Sequence, residues 1–72
     1  MYQYYLAQIG NDQQKLIRGI TNDWLSFAVY DPDKEDWDKK FGPFWADKIL
    51  VSGFSDYDEI SEKEAIHFIK VH

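Results

Sequence analysis

Trp24-Leu25-Ser26-Phe27-Ala28-Val29-Tyr30 is the stretch on which the fold turns. Leu25, Phe27 and Val29 fall on one phase, and Trp24, Ser26, Ala28 and Tyr30 on the other. A period of two sends successive side chains to opposite sides of a sheet, so residues 24–30 are predicted to be a strand. Asp31-Pro32 closes it, because proline has no N–H to give to a sheet ladder.

Working outward, residues 2–9 are β-rich and apolar on both phases, as in a strand with both faces partly covered. Gly10-Asn11-Asp12-Gln13 supplies turn residues, and residues 15–21 read as the returning strand of a hairpin. Gly19 inside that strand points to a bulge or to another element packed closely over it. Asn22-Asp23 is a second turn. Residues 48–54 read as a fourth strand, and residues 55–59 as a polar turn. Residues 33–44 support two readings. One is a short helix entered after Pro32 and stopped by Gly42-Pro43, with Trp37 and Phe41 on one face. The other is an ordered loop.

The C-terminal segment carries the strongest local signal. Ser61-Glu62-Lys63-Glu64 fits a capping box, and Ala65, Ile66, Phe68 and Ile69 follow at helical spacing. A helix over about residues 62–71 is too short to stand alone and must pack on the sheet. The expected architecture is therefore α+β: one domain over residues 1–72, a small antiparallel sheet of three or four strands, and a C-terminal helix packed on one face. Short hairpin connections favour antiparallel pairing, since parallel strands need long crossovers. Trp24, Phe27, Phe54 and Phe68 are the expected large core residues.

Composition narrows function by exclusion. Eight Lys+Arg against 13 Asp+Glu give a net charge of −5, and there is no Cys. Disulfide scaffolds and thiolate zinc sites are excluded. Arg18 is the one arginine and the lysines are interleaved with acids, so direct binding to nucleic acid is not expected. No run approaches the roughly 20 apolar residues of a membrane span, and the first residues lack a signal peptide's basic start; a cytoplasmic location is expected.

Catalysis has little to work with. His67 and His72 are the only histidines, Ser52-Gly53 lacks a nucleophile-elbow sequence, and so small a domain rarely encloses a substrate pocket. Asp31-Pro32-Asp33-Lys34-Glu35-Asp36 begins like a calcium loop. It fails at the sixth position, where the turn needs Gly and Asp36 stands, and at the twelfth, where Gly42 replaces the bidentate Glu. No enzyme activity, metal or cofactor is expected.

Two features remain. Acids crowd residues 31–38 and 56–64, with aromatics beside them. The three Trp, five Tyr and five Phe also exceed what one thin layer can enclose. If a helix covers one sheet face, Tyr2, Tyr4, Trp24 and Tyr30 show on the other, and an exposed aromatic patch marks an interface. The expected function is a small acidic protein-binding module that engages another protein, a basic one if the acids steer it, or a second copy of itself. Trp24, Tyr30, Trp37, Phe41 and Trp45 are the expected anchors, with Asp33, Glu35, Asp36 and Asp38 as an acidic rim. The alternatives are an acidic inhibitor of phage type that imitates nucleic acid on its target, and a structural domain with no dedicated site.

Overall fold

The computed structural model describes residues 2–9, 13–51 and 56–71. The elements run β1 (Gln3–Ile9), β2 (Gln13–Ile20), β3 (Asp23–Asp31), β4 (Asp36–Asp38), α1 (Gly42–Leu50), β5 (Tyr57–Ile60) and α2 (Glu62–Val71). All strand pairs are antiparallel, in the order β4-β3-β2-β1-β5. Among the described residues the sheet thus has five strands, one more than the upper expectation, within the expected α+β architecture.

Alternation assigns the two faces. The β1 to β2 register pairs Tyr5 with Ile17, and the β2 to β3 register pairs Ile17 with Val29. These residues, with Ala7 and Phe27, form the core face, and Trp45, Ala46 and Ile49 of α1 pack onto it. Tyr5 stacks on Phe27 at 6.3 Å between ring centroids and meets Tyr57 edge-on at 5.7 Å. The Tyr57 hydroxyl donates to the Ile49 carbonyl at 3.3 Å, tying β5 to α1.

Gly19 fulfils both halves of its expectation. The register shifts between Arg18 and Ile20, and a Cβ on Gly19 would run into the Phe27 ring. Ser26 bridges the irregularity, accepting from the Ile20 N–H at 2.7 Å and donating to the Asp23 carbonyl at 2.6 Å. Gly42 approaches the sheet still more closely. A Cβ there would collide with the Phe27 carbonyl oxygen, so only glycine lets the start of α1 lie against β3.

Four expectations need correction. Residues 48–50 close helix α1 rather than opening a fourth strand; Ser52, Gly53 and Phe54 lie outside the described residues. Gly42-Pro43 starts a helix instead of stopping one, since proline is tolerated in the first turn, where its missing N–H has no partner to lose. The helix reading of residues 33–44 fails: residues 32–35 turn, Trp37 lies in β4, and Phe41 precedes α1. The supposed polar turn before α2 is β5, which pairs Tyr4 with Ile60 and Ala7 with Tyr57. The turn residues Gly10, Asn11 and Asp12 fall outside the described residues.

Helix α2 matches its expected span. The Glu64 N–H donates to Ser61 Oγ at 3.1 Å while the Ser61 N–H donates to Glu64 Oε1 at 3.3 Å, the reciprocal bonds of a capping box. Its packing is slighter than its apolar stripe implied. Ala65 alone is buried, Phe68 and Ile69 are half-buried, and Ile66 is exposed.

Candidate interaction surface

The turn after β3 is built by its own acids. Asp31 Oδ1 accepts from the Asp33 N–H at 2.9 Å, and the Asp31 carbonyl accepts from the Lys34 N–H at 3.2 Å. Asp36 Oδ1 accepts from the Trp37 N–H and Asp38 Oδ1 from the Lys40 N–H, both at 2.8 Å. The Asp31 and Asp38 carboxylates, each accepting from the N–H two residues on, mimic turns and divert the chain from helix, the physical reason residues 32–38 are not helical. Glu35 takes a positive φ of 52°, and Lys34 Nζ lies 3.9 Å from Asp38 Oδ2.

This turn, the first residues of β2 and the start of α1 enclose an open cleft of about 740 Å³. Tyr30, Asp31, Asp33, Asp38, Phe41 and Phe44 are among its walls. The Phe41 and Phe44 side chains are more than half exposed, at 57% and 53%. Each carries one of the chain's own ammonium groups over its ring: Lys40 Nζ at 5.5 Å from Phe41 and Lys48 Nζ at 5.0 Å from Phe44.

The nine expected site residues divide. Phe41, Trp45, Asp33 and Asp38 meet at the cleft, and Tyr30 borders it while its ring turns to Trp37 across the sheet. Trp45 is only 7% exposed and belongs to the hydrophobic core, so its ring packs the interior instead of standing free as an anchor. Glu35, in the turn, and Asp36, at the start of β4, are exposed and do not line the cleft. Trp37 points to the other side of the sheet, where it meets Tyr30 edge-on at 5.5 Å and Tyr4 at 6.4 Å. Trp24, expected as both core and anchor, is 40% exposed at the start of β3 and does not belong to the core.

Phe44 and Asp31 were not among the expected anchors and rim. A helix start at Gly42-Pro43 would have placed Phe44 one turn from Phe41, but that dipeptide read as a stop. Among the described residues no group of three His, Asp or Glu side chains is placed to hold a metal ion, and no helix is long and apolar enough to cross a membrane. No protein-family model matches the chain, and comparison with characterised proteins and with solved structures finds no match.

Proposed function

We propose that the chain is a protein-binding module rather than an enzyme, and that a basic segment of a partner protein occupies the cleft beside α1. The observation that carries this reading is the pairing of two exposed phenylalanine rings with three aspartates around one cleft. Aromatic anchors within a charged rim give an interface desolvated contact at the centre and electrostatic steering at the edge. The lysines over Phe41 and Phe44 support a cationic occupant: ring faces attract ammonium and guanidinium groups, and a partner's side chains can replace the chain's own.

Affinity capture from host lysate with paired variants tests the reading. Phe41→Ala with Phe44→Ala is expected to abolish capture of the partner while the thermal midpoint stays within a few degrees of the parent. Asp31→Asn with Asp33→Asn is expected to weaken capture less, and mainly at low salt. Capture unaffected by the phenylalanine pair sinks the reading. If the aspartate changes alone abolish it, and about 0.5 M salt releases a nucleic-acid-handling protein, the acidic-inhibitor alternative takes its place. Recovery of the chain alone, with a dimer on sizing, would make the occupant a second copy.

A further inference from the structure

We propose that Arg18 anchors a carboxylate-binding site on the sheet face opposite α1. Its guanidinium carbon lies 4.5 Å from the Tyr2 ring centroid and 4.4 Å from that of Trp37. Strand order puts Tyr2 on the β1 side of Arg18 and Trp37 on the β4 side, so the group is held between two rings. Tyr4 and Tyr30 hold Trp37 in turn, and the fully buried Ala28 opposite Arg18 gives the small floor across which Trp37 reaches.

In a chain of net charge −5, this arginine has no acid partner among the described residues. Its Nε is closed off from solvent with no acceptor, so the charge of this guanidinium can be met from outside only at its Nη groups. The acids of β4, the strand that carries Trp37, are turned away from Arg18 by strand alternation, and Asp58, on Arg18's face, sits across β1 beside Leu6. Asp36 and Asp38 pair with Asp31 and Val29 on α1's side of the sheet, whereas Trp37 pairs with Tyr30 on the side of Arg18. The two rings flank the guanidinium carbon, and of its nitrogens only Nε is closed off, which leaves the Nη groups within reach of an acceptor from outside. A flat two-oxygen acceptor in the guanidinium plane can take two parallel bonds and still touch both rings. A single negative charge also suits a site on an acidic protein better than a phosphate dianion does.

Because Arg18 is the only arginine, its Nε–H gives one unambiguous signal in a nitrogen–proton correlation spectrum. Titration with sodium acetate at constant ionic strength, against sodium chloride, is expected to shift that signal and the Trp37 indole signal saturably. Arg18→Lys keeps the charge but loses the planar fork, and is expected to weaken acetate binding, followed at the Trp37 indole, by about tenfold or more. No saturable shift, an equal response to chloride, or undiminished binding by the lysine variant overturns the proposal. Tighter binding of inorganic phosphate than of acetate overturns the carboxylate assignment. No partner protein is present, so this outcome is independent of the one at the cleft.

Discussion

Helices α1 and α2 are nearly equal in length, nine and ten residues, and opposite in construction. Helix α1 has no side-chain cap, yet it buries Gly42, Trp45, Ala46 and Ile49. Helix α2 has a complete capping box and acids in its first turn, yet it buries Ala65 alone. The difference teaches that local signal and tertiary support substitute for one another. A helix held by the core can begin with Phe-Gly-Pro-Phe; one that barely touches the core must specify its own start.

The sharpest way to break this comparison is at Trp45. Trp45→Ala removes the largest side chain of α1 from the core and is expected to cost about 4 kcal/mol, measured by denaturant unfolding. A domain of this size has roughly 4–11 kcal/mol in all, so that variant stands at the edge of folding. Gly42→Ala follows, at about 3 kcal/mol, because a new methyl group against the Phe27 carbonyl forces α1 off β3. Ser61→Ala, the corresponding lesion at the start of α2, is expected to cost about 1 kcal/mol. Amide exchange should then accelerate within α2 while β1 to β3 stay protected. If Ser61→Ala proves as damaging as Gly42→Ala, the contrast between the helices is wrong.

Two smaller effects sharpen it further. Glu35 occupies the left-handed backbone region at φ 52°, so Glu35→Gly is expected to raise stability by roughly 0.5–1 kcal/mol, read as a higher denaturant midpoint. At Tyr5, burial is the main force pushing the hydroxyl above its ordinary value of about 10. The folded chain then holds that proton more tightly than the unfolded one. This contribution is fully present below about pH 10 and is lost as pH rises through the folded value. Tyr5→Phe should therefore leave stability near pH 7 little changed and make its alkaline decline shallower, as measured by unfolding between pH 8 and 11.

What was legible in the sequence follows the same division. The hairpin of β1 and β2, the alternation of β3, the bulge at Gly19 and the span of α2 are all encoded within a few residues, by period, turn chemistry or cap. The segment from Glu35 to Leu50 is not. Its turn depends on side-chain bonds from Asp31, Asp36 and Asp38, and its helix depends on Trp45, Ala46 and Ile49 meeting a sheet face whose nearest residue, Val29, lies 16 positions before Trp45. Strand β5 was missed because it is polar and short, and backbone pairing with Tyr4 to Ala7 makes it a strand.

The candidate surface was legible as a composition and not as a geometry. Acids beside aromatics at residues 31–45 pointed to the right segment. Which rings face outward depended on the phase of α1: Phe41 and Phe44 stand out, and Trp45 turns in. On the opposite face the tyrosine phase was readable, whereas the meeting of Arg18 with Trp37 required the strand order.

Phe27 touches both of the close glycines, one through its ring and the other through its carbonyl. Positions 19, 27 and 42 are therefore not free to vary one at a time. A sequence that gains a side chain at 19 can be rescued by a smaller residue at 27, because the obstruction there is a ring that can be trimmed. One that gains a side chain at 42 cannot, because every amino acid brings the same carbonyl. Drift at Gly19 thus has a compensating path through its neighbour, and drift at Gly42 has none short of re-seating the helix.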